Sequence, residues 1–270
     1  MLFILYCDMK IDIVLTSCNL NTYYLNLYPY VFKVWKERFN LDLYLILISD
    51  VIPDNLLEYK KFIILFEPIP KINTTYIAQV IRILYPCLFN NLNILITDID
   101  IFPISKKYFL FSIENYSNEQ FVAYTNRYIK NNMIAICYNI ANSNVWKKIF
   151  NIENIIDINN ILISNYNENY TGKKNCEGWY TDQQLLFNYI MEYIKKRNND
   201  DINNVIFLND IDIGYKRLDG KSANKLLEIK NNQLNILDNI DNYSDFHIIR
   251  NYNSNLKLFE DIIQAIVLLK

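Results

Sequence analysis

The feature that most limits the folds open to this 270-residue chain is the order of its apolar segments before residue 100. Residues 10–15 (KIDIVL) have strand composition and end in the polar Thr16-Ser17-Cys18-Asn19. Leu27, Tyr30, Val31, Val34, Trp35 and Phe39 then recur at helical spacing, with Pro29 in the first turn. Residues 41–48 (LDLYLILI) are apolar nearly throughout, as expected of a strand buried on both faces. Residues 61–66 (KFIILF) form a third strand, and a helix opening at Asn73-Thr74 carries Ile77, Val80, Ile81, Leu84 and Leu88 on one side. A fourth strand from residue 93 runs into Thr97-Asp98-Ile99-Asp100. The order β, α, β, β, α, β predicts an α/β fold built on a doubly wound sheet flanked by helices.

The end of that fourth strand is the first place to look for chemistry. Residues i and i+2 of a strand point to the same side, so Asp98 and Asp100 converge where the strand exits, before Phe102-Pro103 stops the extended chain. Open α/β sheets bind ligands at such exits. Two carboxylates there suit a divalent cation, and a hard ion such as Mg²⁺ or Mn²⁺ completes its shell with water and substrate phosphates. The spacing by itself is weak, because chance supplies roughly one D-x-D in a chain of this kind. A second copy does occur at Asp210-Ile211-Asp212. The strand-exit setting is what separates the first from the second.

Composition narrows the classes. The chain is 51% hydrophobic and 21% charged with a net charge of -2, and it has no long basic run, which argues against nucleic-acid binding. Asn and Ile are abundant while glycines (4) and prolines (6) are few, the pattern of codon drift in an AT-rich genome such as that of a large DNA virus. The five cysteines are scattered without a C-x-x-C, which points to a reducing compartment and away from a thiolate metal site. Residues 1–7 are too short and too poor in basic residues for a signal segment, and no apolar run is long enough to span a bilayer. The expectation is a cytoplasmic protein without a transmembrane segment.

The second half is less regular. A helix over 105–113, strands over 121–124 and 133–138, and a short helix around Trp146 are expected. Residues 151–178 are Asn-rich and hold two of the four glycines, which reads either as a mobile loop over a site or as a surface insertion. Thr181 is placed to cap a helix over 185–194, and Asp182 in its first turn complements the helix dipole. Residues 205–208 and 245–250 read as late strands, and Leu258, Ile262, Ile263 and Ile266 mark a closing helix.

Several polar residues stand out against this frame. Thr16 and Ser17 suit either a nucleotide contact after the first strand or a plain helix-entry cap. Gln79 and Arg82 lie away from the apolar side of their helix. The fork of Arg82 fits phosphate oxygens, and a solvated helix arginine is the other reading. His247, the single histidine, could complete a mixed nitrogen and oxygen shell with the aspartates, which favours Mn²⁺ over Ca²⁺. Trp179 and Tyr180 could offer a flat apolar face to a ligand or pack in the core. Lys216, Arg217, Asp219 and Arg250 form a late polar set, which reads either as part of a binding site or as solvated surface.

Taken in order, T-D-I-D after an apolar strand, Tyr138-Asn139-Ile140-Ala141, Thr181-Asp182-Gln183 at a helix start and Phe246-His247 near the end resemble the GT-A class of nucleotide-sugar-dependent glycosyltransferases. The resemblance covers most of the chain, although each motif is short. It implies a single Rossmann-like GT-A domain with a mixed, doubly wound sheet and a C-terminal extension. Residues 10–103 would form the nucleotide-binding half, 104–250 the acceptor and catalytic half, and 251–270 a C-terminal helix. It implies transfer of a sugar from a UDP- or GDP-sugar donor to a hydroxyl of a glycan or protein acceptor, with Mn²⁺ or Mg²⁺. Asp98, Asp100 and His247 would hold the metal. Thr16, Ser17, Arg82, Thr97, Asp98, Arg217, Asp219 and Arg250 would bind the donor. Asn139, Trp179 and Tyr180 would face the acceptor or sugar, and Asp182 and Gln183 would be catalytic. Asn142 stands where retaining members carry glycine, so inversion and retention stay open.

Two rivals remain at this stage. A phosphatase of the haloacid-dehalogenase type would use Asp98 as nucleophile and Asp100 as acid, with Thr125 and Asp210/Asp212, but it leaves Asp182 and His247 unused. A non-catalytic sugar-binding or structural protein is the other.

Overall fold

In the computed structural model, residues 9–196, 204–219, 240–248, 252 and 256–269 are described. Residues 1–7 and Arg250 lie outside them.

The first strand, β1 (Ile13–Asn19), lies between β2 (Asp42–Ile48) and β4 (Asn93–Ile96), parallel to both, and β3 (Ile63–Phe66) extends the sheet beyond β2. β1 runs further than composition suggests. Thr16-Ser17-Cys18-Asn19 is the second half of the strand and not a turn, because pairing to β2 continues to Asn19↔Ile48 and satisfies its backbone. Beyond β5 (Ile101–Pro103), the chain adds β6 (Phe121–Ala123), β7 (Asn139–Asn142) and β8 (Val205–Phe207). β7 pairs antiparallel to both β4 and β6, and β6 pairs parallel to β8. The result is a mixed seven-stranded sheet in the order β3-β2-β1-β4-β7-β6-β8. Strand order reverses between β1 and β4, which makes their carboxyl ends the switch point of the sheet.

Alternation along the strands divides the core. Leu43, Leu45 and Leu47 face one side with Val14, Leu95 and Ile140, and meet Trp35 and Phe39 of α2 (Tyr28–Phe39), which follows the short α1 (Thr22–Leu25). Ile46, Ile48, Leu15, Ile94 and Ile96 face the other side, against Ile77, Val80, Ile81 and Leu84 of α3 (Thr74–Leu84). Asn73 caps α3 by accepting from Thr75 N at 2.8 Å. Below it pack α4 (Ser143–Phe150), α5 (Ile155–Ser164) and α6 (Thr181–Lys196). On the first side α7 (Leu256–Leu268) docks on α2, with Phe259 against Tyr30 and Glu260 Oε1 accepting from Tyr30 Oη at 3.1 Å.

Three local expectations shift. The strand expected over 133–138 is displaced to β7. Asn139 Nδ2 donates to the carbonyls of Ala135 at 2.8 Å and Ile136 at 3.3 Å and folds that segment back as a loop across the sheet's end. Its Ile134 and Ile136 still bury in the core, so apolar character alone does not reveal the loop. The helix expected over 105–113 is a single π turn, Lys107–Phe111. Helix α6 includes Thr181 as its first residue; Gln184 N bonds Tyr180 O at 3.0 Å, so Tyr180 holds the cap position.

A second, three-stranded sheet has the order β5-β10-β9, with β9 (Arg217–Leu218) and β10 (Asp245–His247). β10 runs antiparallel to β5 with His247 opposite Ile101. This small sheet carries the end of the chain back to the two aspartates.

Candidate active site

A cavity of about 440 Å³ opens at the switch point. Its walls combine the end of β1 (Ser17, Cys18, Asn19), the polar side of α3 (Gln79, Arg82), the turn after β4 (Asp98, Asp100) and the start of α6 (Asp182, Gln183). Arg217 and His247 from the small sheet close it, with Trp179, Tyr128 and Cys137 from loops. Most of the polar residues singled out in the sequence meet here.

Arg82 is central. It reaches the cavity from the last turn of α3, and its guanidinium bridges two carboxylates, contacting Asp98 Oδ1 through Nη1 and Asp182 Oδ2 through Nη2, the latter at 3.0 Å. Burial opposes its charge, but Asp98 and Asp182 outweigh it and hold the guanidinium firmly protonated. Its Nε is buried and has no hydrogen-bond partner among the described residues.

Asp182 is 3% exposed. Its Oδ1 accepts from Gln79 Nε2 at 3.0 Å and from the Gln183 backbone at 2.9 Å, while Oδ2 is held by Arg82. Burial raises its pKa above the ordinary carboxylate value, with Arg82 pulling the other way. Three donors on one buried carboxylate fix its orientation in the wall.

His247 Nε2 lies 3.4 Å from Asp100 Oδ2, and Ile248 N donates to Asp100 O at 3.1 Å. The β5–β10 ladder creates this proximity. The hydrogen bond to Asp100 raises the His247 pKa against the opposing effect of burial. Burial opposes charge on Asp100, yet the bond to His247 and the nearby positive groups hold its pKa below the ordinary value. Both side chains are part-exposed toward the cavity. Arg217 forms a bidentate pair with the fully buried Asp245 at 2.9 and 2.8 Å and presents its remaining face to the cavity.

A divalent ion fits part of this set. Asp100 and His247 provide a hard oxygen and an imidazole nitrogen side by side. Asp98 is occupied by Arg82, and among the described residues no three His, Cys, Asp or Glu side chains converge on a metal position. Two protein ligands suffice where substrate phosphates and water supply the rest.

Other anticipated residues lie elsewhere. Thr16 and Thr97 are fully buried behind the cavity wall. Ser17 reaches the wall, but its hydroxyl donates to Ala78 O and ties β1 to α3. Asn139 is fully buried and shapes the 135–138 loop, so its influence on the cavity is indirect. Tyr180 is 37% exposed and donates to Asn175 Oδ1, outside the lining, whereas Trp179 is within it. Asp219 is not among the lining residues. Sequence reasoning did not assign roles to Tyr170, Cys137, Asn21 or Tyr23, which also line the cavity. Gln79 stood out with Arg82 on the same side of α3, three residues apart, but its bond to Asp182 is a tertiary feature.

No protein-family model and no curated protein matches the chain. Among solved structures it is similar to the galactosyltransferase LgtC in complex with donor and acceptor sugar analogs, at 11% identity over 96% of this chain and 98% of that one, with a TM-score of 0.47. It is also similar to the apo-form glycosyltransferase GlyE of Streptococcus pneumoniae TIGR4, at 13% identity and a TM-score of 0.47. That match covers 97% of this chain but 61% of GlyE, so the chain spans less than two thirds of GlyE.

Proposed function

We propose that the chain is a metal-dependent glycosyltransferase of GT-A type that moves a sugar from a nucleotide-diphosphate donor to a hydroxyl acceptor. One observation carries this reading. A single switch-point cavity collects Asp98, Asp100, Arg82, Asp182, Gln183, Arg217 and His247 from five separate stretches of chain. Breaking a glycosidic bond to a diphosphate requires the leaving group's charge to be neutralised and positive charge at the sugar carbon to be stabilised. The cavity holds positive groups for the first task and a buried carboxylate for the second.

Asp100 and His247 would hold Mn²⁺ or Mg²⁺, which when bound acts as a Lewis acid on the diphosphate. Arg217, kept charged by Asp245, faces the same anion. The two terminal nitrogens of Arg82 keep Asp98 and Asp182 in place. Asp182, already accepting three hydrogen bonds, stands beside the reacting carbon, and Gln183 offers a neutral amide to the same region. In an inverting transfer Asp182 would take the acceptor proton; in a retaining one it would stabilise the sugar carbon while a diphosphate oxygen takes that proton. Trp179 supplies a flat apolar wall for a sugar.

The test is a panel of UDP- and GDP-sugars with Mn²⁺, read by nucleotide release and thermal stabilisation. Release from at least one donor, abolished in Asp100→Ala, is the expected result. Release of phosphate from a generic phosphate ester, with phosphate trapped on Asp98, would instead establish the phosphatase chemistry. The geometry does not favour that rival: Asp210 pairs with Arg127 at 2.5 Å, Asp212 is exposed, and neither lines the cavity.

A further inference from the structure

Gln79 is engaged at both ends of its amide. Tyr170 Oη donates to Oε1 at 2.9 Å, while Nε2 donates to Asp182 Oδ1 at 3.0 Å and to Trp179 O at 2.9 Å. Gly178 O lies slightly further from Nε2, at 3.4 Å. Turning the amide over would set Oε1 against a carboxylate and two carbonyls, so the surroundings admit one orientation.

Tyr170 is in turn the post around which segment 171–178 is wound. Its ring packs edge-on against Tyr76, with centroids 5.5 Å apart. Gly178 has φ +82° and lies so close to the ring that a Cβ would overlap it. The base of the loop is closed by Thr171 N to Glu177 O at 3.3 Å and by Asn167 Nδ2 to Glu177 Oε1 at 2.8 Å. Gly172 and Lys174 of this loop, and Trp179 just after it, line the cavity.

We propose that Gln79 is a positioning residue that couples the seating of segment 171–179 over the cavity to the aim of Asp182, with Tyr170 as the link between them. Seated, the Tyr170 hydroxyl and the Trp179 carbonyl orient the amide so that Nε2 faces Asp182. Lifted, the segment withdraws that carbonyl, the amide is free to turn, and Asp182 keeps only Arg82 and the Gln183 backbone. The carboxylate is therefore fully anchored only when the cavity is covered, which ties correct geometry to exclusion of water. The catalytic half of this inference rests on the transferase reading; the latch itself does not.

Two variants separate these halves. Tyr170→Phe keeps the ring and deletes the hydroxyl, and Gln79→Met keeps the length and deletes the amide. The first readout is native-state trypsin cleavage after Lys173 and Lys174, followed by mass spectrometry. Cleavage there rises about tenfold in both variants, with cleavage elsewhere unchanged. The second readout is donor hydrolysis with the UDP- and GDP-sugar panel and Mn²⁺, where kcat falls about tenfold while donor KM stays within about threefold. Unchanged cleavage in both variants overturns the latch. Faster cleavage with unchanged kcat overturns the coupling to Asp182. If the wild-type protein turns over no sugar nucleotide, the transferase reading fails, and faster cleavage still upholds the latch. Should Gln79→Met not fold, Tyr170→Phe decides the outcome, because its ring packing is intact.

Discussion

His247 Nε2 stands 3.4 Å from Asp100 Oδ2 because β10 returns antiparallel beside β5, placing the single histidine against the second aspartate of the D-x-D. The pair forms the nitrogen and oxygen half of the proposed metal site. His247→Ala and Asp100→Ala are each expected to lower Mn²⁺ affinity by at least about 100-fold, since even outer partners of metal ligands are worth 10–100-fold. Calorimetric titration of Mn²⁺ in the presence of UDP measures this. His247 is 43% exposed on its side chain, so its removal should change folding stability by no more than about 0.5 kcal/mol. Equal Mn²⁺ affinity in both variants would remove the pair from the metal site.

Arg217 and Asp245 test a different property. Asp245 is fully buried and paired through both oxygens, while the Arg217 side chain is 24% exposed. Asp245→Ala strands the guanidinium between Tyr215 and the cavity, and is expected to cost about 3 kcal/mol, the lower end for a broken buried pair. Urea unfolding monitored by circular dichroism gives the value. Arg217→Met, which removes the charge but keeps bulk, leaves Asp245 unpaired instead and should destabilise by a similar amount.

The cysteines of the cavity wall are expected to be unreactive. Burial pushes the Cys18 thiol up to about 12 and that of Cys137 to about 11, so thiolate is scarce at pH 8. Cys176 is exposed on the loop beside the cavity. Iodoacetamide at pH 8 should alkylate the exposed Cys176 long before Cys18 or Cys137, and raising the pH toward 10 should accelerate modification of Cys137. Peptide mass spectrometry over a time course reads each site separately. Early modification of Cys137 would mean that the cavity wall opens readily.

Gly178 is constrained by both backbone and space. Its φ of +82° disfavours a side chain, and a Cβ would overlap the Tyr170 ring. Gly178→Ala is expected to displace segment 171–178 and to destabilise the fold by about 1–3 kcal/mol. Gly214→Ala is the control, with a positive φ of 69° and open space around it, and isolates the backbone part of the cost. Thermal melts of the two variants, compared with the parent, give the steric part by difference.

Much of the frame was readable from local chemistry. The near-continuous apolar runs of β2 and β4, the apolar side of α3 and its Asn73 cap are decided by neighbours a few residues apart, and all appear where spacing placed them. The same reasoning misplaced β7, because residues 133–138 and 139–142 are both apolar enough to be strands. Hydrogen bonds from Asn139 to Ala135 and Ile136, with Met133 N bonded to Tyr128 O and Ile134 N to Gln183 O, make the first a loop.

The sequence by itself determined an α/β sheet with two aspartates at the exit of β4, since strand periodicity and side-chain polarity are properties of short stretches. Tertiary structure alone decided that Asp98 is held by Arg82, and that Asp100 is the aspartate beside His247. It alone made Asp182 a buried, fully engaged carboxylate, and Gln79 its partner. Those relations join residues on different elements through strand pairing and helix docking. No local pattern encodes which of two similar carboxylates a distant cation will reach.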